Sequence, residues 1–366
     1  MARHAPSVRV PSIYLNAGTS GILSPAVLKA WTRGIERWNQ LGQGDFKTIY
    51  KQIEETKIIR KALAKFVGAS PEELTFTHNS TEGINLILQG FAWKKADILL
   101  TSDLEHASEL IPARHALASR GVRIHMLKLM GKDPQDYVSI IRKAMGPRVR
   151  MLMLSHISYA TGALMPLQAL AKLCRSKNIF FLVDGAQGFG QCPLNFKRLG
   201  LDAYATTGHK WFCGPSGTGF LFVRRQRLSE IQPTRWGWRS VLDDTKFLMG
   251  GEILKTSAEK LEESSRDHAA LMAWLPQLKF LTKQQRSIET QAKALTKQAL
   301  YALQKNPDIE ILTPTRAGTY AGLLTFRHKK FSAQQLWERF KKHGVICRSI
   351  PHLGALRLCF HPSLLE

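Results

Sequence analysis

The sequence predicts an α/β protein: a largely parallel sheet covered by helices on both faces, followed by a smaller α+β unit. Three observations carry this. Between about residues 50 and 225, short apolar runs alternate with amphipathic segments. The runs are nearly continuous, without the in–out alternation of a half-exposed strand. The pattern then breaks after Arg225. A chain of 366 residues exceeds what one simple core serves and suits a large domain with a smaller one. We expect an N-terminal segment over residues 1–25 packing on the small domain, a large domain over 26–250 and a small domain over 251–366.

Leu74–Thr77 reads as the first strand of the alternation, and Ser80–Gly90 as the helix after it. Strand Asp97–Thr101 precedes helix Ser108–Ser119, strand Val122–Leu129 precedes helix Gln135–Ala144, and strand Val149–Ser155 precedes helix Leu167–Lys177. Ile179–Val183, Ala203–Thr206 and Thr218–Val223 complete the strands. Strand–helix alternation of this kind belongs to parallel sheets. Beyond an irregular stretch containing Trp236-Gly237-Trp238, Leu254–Arg286 reads as mostly helical. Ser287 reads as the cap of a further helix to Gln304, with Glu289 in its first turn. Strands Leu323–Phe326 and Val345–Arg348 flank helix Ala333–Lys342, and Leu356–Phe360 is the last strand.

Hydrophobic residues make up 44% and charged residues 22%, as in a packed soluble protein. No apolar run is long enough for a bilayer, and Met1–Val10 has no apolar stretch behind it, so neither membrane nor secretory signal is expected. Cys174, Cys192, Cys213, Cys347 and Cys359 show no paired or metal-ligand spacing. That suits a reducing cytoplasm, buried thiols and no metal. Lys and Arg number 52 against 28 acids, a net charge of +24. Such a balance suits a nucleic-acid or anionic partner, or a solvated basic surface. The cations are scattered, as in Lys94-Lys95 and Lys341-Lys342. They follow no nucleic-acid module and imply non-specific attraction for anions.

Chemistry concentrates at strand ends. Lys210 lies in Thr207-Gly208-His209-Lys210-Trp211, before the glycine-rich Gly214–Gly219. An amine in dry surroundings, with its pKa lowered, can form a Schiff base with an aldehyde. Asp184 ends an apolar run, where a carboxylate needs a partner; it could hold a pyridinium nitrogen or cap a helix. Gln187 is placed to reach a ring hydroxyl. An amine for a carbonyl and a carboxylate for a ring nitrogen are what pyridoxal 5′-phosphate (PLP) chemistry requires. Ser80 and Thr81 open a helix whose N–H groups could hold a phosphate or simply be capped. His106, past a strand end, could stack on an aromatic cofactor or be a surface histidine. Arg357 could take a substrate carboxylate in bidentate fashion or make an edge-strand salt bridge. Tyr159, Trp236, Trp238 and Arg239 are candidates for the pocket wall.

The ordered series Asn79–Asn85, Glu105-His106, Ser155–Ser158, Val183–Gln187, Thr207–Trp211 and Gly214–Gly219 resembles the class V aminotransferase family. That family includes cysteine desulfurases and isopenicillin N epimerase-like enzymes. The resemblance runs from Tyr14 to Arg357. It implies an aspartate aminotransferase-like fold (PLP-dependent transferase fold type I) and a homodimer with its site at the subunit interface. By this likeness residues 26–250 form the PLP-binding domain. Lys210 carries the Schiff base, Asp184 pairs with the ring nitrogen, His106 stacks on the ring and Gln187 bonds its hydroxyl. Ser80, Thr81, Thr207 and His209 surround the phosphate, Arg357 binds the substrate carboxylate, and Ser265 reaches the neighbouring subunit's phosphate.

The sequence departs from the family pattern at Tyr159, often Asn in desulfurases, and at Ser264, often Gly. The loop between Arg348 and Arg357 is short and lacks a cysteine, which argues against sulfur transfer through a persulfide. The expected reaction on an amino acid or amine is transamination, with C–S/β-lyase or epimerase activity as alternatives. A basic nucleic-acid-binding protein with lost catalysis is the alternative of another class.

Overall fold

The structure, a computed structural model, describes residues 13–42, 44–251 and 253–364. A short strand, β1 (Ile13–Tyr14), precedes two helices, Pro25–Leu41 and Phe46–Val67. The sequence reading did not assign these helices, although their caps are present. Ser24 accepts from the Val27 N–H and Pro25 follows at the first helical position; Asp45 caps the second helix, which ends at left-handed Gly68.

The main sheet comprises β2 (Leu74–Thr77), β3 (Ile98–Ser102), β4 (Arg123–Leu127), β5 (Val149–Ser155), β6 (Phe180–Asp184), β7 (Ala203–Thr207) and β8 (Gly219–Val223). Their order is β2-β8-β7-β6-β5-β3-β4. Only β8 runs against its neighbours. The carboxyl ends of β2, β3, β5, β6 and β7 therefore share one edge, and the winding direction changes between β3 and β5. That is where ligands bind in open parallel sheets. Strands β5 to β8 are buried almost throughout, as continuous apolar runs demand, whereas edge strand β4 is mostly exposed. Separate apolar clusters cover the two faces, one around Phe181, Phe220 and Trp274, the other around Ile87, Met153 and Phe180.

The region after residue 250 differs from expectation. Residues 254–267 are irregular apart from a 3₁₀ turn at Ala258–Leu261. Ser287 starts no helix: Trp274–Gln304 is one uninterrupted helix. Its first half packs Trp274, Leu278, Leu281 and Ile288 on the main sheet, and Leu300 joins the C-terminal core. No Gly or Pro breaks it near Ser287, and packing at both ends outweighs a local cap signal.

Strands β9 (Ile309–Ile311), β10 (Leu323–His328), β11 (Val345–Ile346), β12 (Arg348–Ile350) and β13 (Ala355–Cys359) follow. Four of them form an antiparallel sheet ordered β12-β13-β10-β9, while β11 pairs in parallel with β1. The single strand expected at Val345–Arg348 thus splits at Cys347.

Glu262 anchors the irregular stretch to β2. Its carboxylate accepts from Arg60 Nη2 at 2.9 Å and from the Phe76 N–H at 2.9 Å, in a side-chain environment 2% exposed. Burial alone would raise its pKa, but Arg60, Arg239 and the Phe76 N–H bring it below the ordinary value. Its contribution to stability is therefore present above the unfolded-state pKa and lost as pH falls through the folded one. Glu262→Ala leaves buried Arg60 with only the Leu74 carbonyl and the more distant Glu259, 3.7 Å away, and should cost about 3–5 kcal/mol. Chemical denaturation at neutral pH measures this; a loss below about 1 kcal/mol would contradict the anchoring role.

Candidate active site

Asp184 closes β6, paired in register with Ser155 of β5 and Ala205 of β7. The turn beyond it needs glycine: a Cβ on Gly185 would lie 1.9 Å from the Tyr204 ring. Asp184 Oδ1 accepts from the Ala186 N–H at 2.7 Å, as a cap would, but turns rather than a helix follow. The carboxyl is buried, and desolvation raises its pKa against the pull of Lys210, Ala186 and Glu109. Gln187 is engaged at both ends, accepting from Trp211 Nε1 at 2.7 Å and donating to the Gly18 carbonyl at 2.9 Å. One amide proton remains for a further partner.

Lys210 sits on the loop after β7. Gly208 N–H bonds to Thr218 O at 2.7 Å, and Gly214 N–H returns to Gly208 O at 2.8 Å. A Cβ on Gly208 would meet Thr218 Oγ1 at 2.5 Å and Trp274 at 2.8 Å, so the loop closes this tightly only with glycine there. The lysine pKa falls, mainly through desolvation; Arg357 and Arg348 also lower it, while Asp184 opposes. The result is a more nucleophilic amine beside a carboxylate.

His106 follows β3, half-buried rather than on the open surface. It caps helix Ala107–Ala118: its Nδ1 accepts from the Ser108 N–H at 3.1 Å, and the ring meets Tyr159 edge-on at 4.5 Å. Burial, then the cations Lys210, Arg348 and Arg357, hold its pKa down to about 4. The imidazole is neutral at physiological pH. Behind it Glu105, Glu109 and Ser155 form a buried polar cluster that sequence reasoning did not foresee.

Ser80 and Thr81 open helix Ser80–Gly90 at the end of β2, with Asn79 as the cap. Glu82 in that turn would repel an anion, yet Arg235 at 2.7 Å and Arg266 at 3.4 Å neutralise it. Across the adjoining strands, Thr207 Oγ1 and His209 Nδ1 are 2.6 Å apart, and burial keeps His209 near 4. Free helix N–H groups and neutral hydroxyl and imidazole donors suit a phosphate.

Arg357 lies on interior strand β13, 1% exposed. The edge-strand salt bridge is overturned, since no ion pair to Arg357 forms among the described residues. Its Nη1 donates to Tyr159 O at 3.2 Å and its Nη2 to Thr19 Oγ1 at 2.9 Å, leaving Nε without a partner. Thr19 also receives Arg348 Nη1 at 3.2 Å, and Tyr159 Oη lies 3.3 Å from His352 Nε2. Thr19, Arg348 and His352 thus join Tyr159 and Arg357. They come from three separate stretches, and the only advance signals were that Arg348 bounds the short loop before Arg357 and that Thr19 lies within the span of the resemblance.

A model of aminotransferase class V matches residues 13–363. The chain belongs to the class-V aminotransferase family. This is a family of PLP-dependent enzymes. Isopenicillin N epimerase of Streptomyces clavuligerus is 28% identical over 307 residues, 80% of this chain and 76% of its own. A probable cysteine desulfurase of Methanothermobacter thermautotrophicus is 28% identical over 261 residues, 71% of this chain and 64% of its own. Two structures of the cystine C–S lyase C-DES align with TM-scores of 0.90 and 0.88, at 26% and 28% identity. They cover 99% and 97% of this chain and 94% of each of their own. One carries glycine covalently linked to the PLP cofactor; the other holds the product cysteine persulfide.

The class-V chain described here has a donor set that fits PLP: a buried carboxylate with one backbone donor, a depressed lysine amine and a neutral anion cradle. Ser265 is exposed, next to Arg266, which contacts His78 and Glu82 near the cradle. Trp236 and Trp238 instead line an outer groove with Phe247 and Leu248, none of them in the Lys210 cluster. Because burial holds His106 near 4, its ring should show no titration between about pH 5.5 and 8 by NMR. A midpoint near 6.5 would contradict the desolvated placement.

Proposed function

We propose that the chain is a cytoplasmic, homodimeric PLP-dependent lyase that breaks a carbon–sulfur bond at the β-carbon of an amino acid. The observation that carries this reading is the state of the cysteines. All five are free and buried. Cys347, beside Arg348, lies in the C-terminal apolar core with its thiol pushed up to about 12 by burial. No cysteine among the described residues is placed to accept sulfur, so the sulfur leaves as a small molecule. The kinship with the cystine C–S lyase C-DES supports this outcome over a desulfurase.

Bound PLP supplies an electron sink for negative charge at the substrate α-carbon. The residues do the rest. The Arg357 guanidinium, rigid between Thr19 and Tyr159, receives the α-carboxylate. Lys210 removes the α-proton as general base, its lowered pKa keeping a useful fraction unprotonated. The C–S electron pair departs on sulfur. Asp184 would pair with the ring nitrogen, neutral His106 would lie against the ring, Gln187 would bond the ring hydroxyl, and Ser80, Thr81, Thr207 and His209 would hold the phosphate. Arg348 extends the positive surface outward, with His352 held beside it by Tyr159, suiting a substrate with a second anionic end, such as a disulfide-linked diamino diacid.

The dimer draws support from the exposed apolar side chains clustered over residues 236–253, including Trp236, Leu242, Phe247, Leu248 and Met249. Ser265 would then serve the partner's phosphate. Packing of Ala258 and Leu261, and of Leu271, Trp274, Leu278, Leu281 and Ile288, with the main-sheet clusters supports a boundary between the units within helix Trp274–Gln304 rather than at residue 250.

The test is product identification with cystine and related amino acids. Pyruvate, ammonia and a persulfide support the lyase; a keto acid with the amine form of the cofactor indicates transamination, and an inverted α-centre indicates epimerisation. Either of the last two replaces the lyase reading. Borohydride reduction followed by peptide mass spectrometry should place a pyridoxyl group on Lys210. Lys210→Ala should lose that adduct and about 10³-fold or more in turnover. Arg357→Lys should raise KM about tenfold with a smaller change in kcat.

A further inference from the structure

Three carboxyl groups are buried against one another beneath the ends of β3, β5 and β6: Glu105, Glu109 and Asp184. Their contacts outnumber the protons that the neighbouring hydroxyls can donate. The Ser102 hydroxyl donates to Glu105 Oε1. Ser155 Oγ lies 2.6 Å from Glu105 Oε2 and 2.8 Å from Glu109 Oε1. A serine hydroxyl carries one proton, so it fills only one of these two short contacts. A carboxyl proton must fill the other, or two lone pairs face each other in a dry site.

Glu109 is the residue between the other two. It is 0% exposed and has both other carboxyls as charged neighbours. Its Oε1 accepts from the His106 N–H at 3.3 Å, while Oε2 is fully buried with no donor among the described residues. Glu105 Oε2 accepts from the Ser155 N–H at 2.7 Å, and Asp184 Oδ1 from the Ala186 N–H at 2.7 Å. Glu105 therefore has donors at both oxygens, whereas Glu109 has one backbone donor and an unmet Oε2, so the proton that the Ser155 contact requires belongs on Glu109.

We propose that Glu109 is a positioning residue held as a neutral carboxylic acid that donates its proton to Ser155 Oγ, leaving the Ser155 hydroxyl to donate to Glu105. Burial and the adjoining Glu105 and Asp184 push the Glu109 carboxyl in the same direction, well above the ordinary glutamate value. The ionisable groups facing it are Glu105, Asp184, Lys210 and the Tyr159 phenol. Only Lys210 among them draws it toward the charged form. A neutral Glu109 puts no second charge beside Asp184, which favours the Asp184 anion and leaves one negative charge rather than two facing the ring nitrogen. The consequence for PLP rests on the function proposed above; the proton itself does not.

The experiment is carbon-13 NMR of apoprotein labelled at glutamate side-chain carboxyls, with Glu109→Gln identifying the resonance. A shift typical of a protonated acid, constant from about pH 6 to 9, is expected. A carboxylate shift in that range overturns the proposal, and this reading needs neither PLP nor activity. In the second arm PLP affinity is measured for both variants. Glu109→Gln, which keeps a neutral donor, should stay within about threefold of the parent, whereas Glu109→Ala should bind about tenfold or more weakly. Equal losses in the two variants overturn the donor role. Should the parent itself bind no PLP, the proposed function fails and the apoprotein resonance alone decides for or against the Glu109 proton.

Discussion

The burial of Asp184 is the constraint on which the rest of the site depends. A carboxylate taken out of water at the end of a sheet strand is destabilising by several kcal/mol unless charge or donors meet it. Here one backbone N–H and the charge of the Lys210 amine are what meet it. Parallel pairing of β5, β6 and β7 places Ser155, Asp184 and the Thr207–Lys210 loop along one edge. The same pairing makes the carboxylate unavoidable and its partners reachable. Lys210 and Asp184 bias one another: desolvation lowers the amine and raises the acid, and their attraction opposes both shifts.

Around that pair the site separates charge from neutrality. The histidines are kept neutral by burial, so the anion cradle and the ring site rely on dipoles and hydroxyls. Full cations, Arg348 and Arg357, stand on the opposite wall, supplied by the small antiparallel sheet. Excess basic charge across the chain does not create this division. Most of it is scattered, and the cations that count here are held by specific contacts, such as Arg357 between Thr19 and Tyr159.

The two sheets are held together by elements remote in sequence. The Trp274–Gln304 helix contributes to both apolar cores. The segment after β1 runs between them: Leu15 bonds to Ile346 and Cys359, Gly21 to His209 O, and Thr19 to both arginines. The wall that carries Arg348 and Arg357 and the loop that carries Lys210 are therefore tied through the same short stretch, Leu15–Gly21. A shift of the small sheet would be felt at both.

Much of this was legible in the sequence because it is written locally. Continuous apolar runs identified the buried parallel strands, and the strand-end motifs identified Lys210, Asp184, His106 and Ser80 in one order. Each signal spans a few residues whose side chains act on their own backbone. Local signals also misled: Ser287 reads as a cap, but packing at both ends carries the helix straight through it. What the tertiary structure alone decided is convergence. Glu109 looks like an ordinary first-turn acid in a helix until Asp184 and Ser155 arrive from strands 46 and more residues away. Thr19 and Arg357 lie 338 residues apart, and Gln187 is claimed by Trp211 and Gly18. Desolvation and charge coupling depend on which groups end up within a few ångströms, and spacing along a chain carries no record of that.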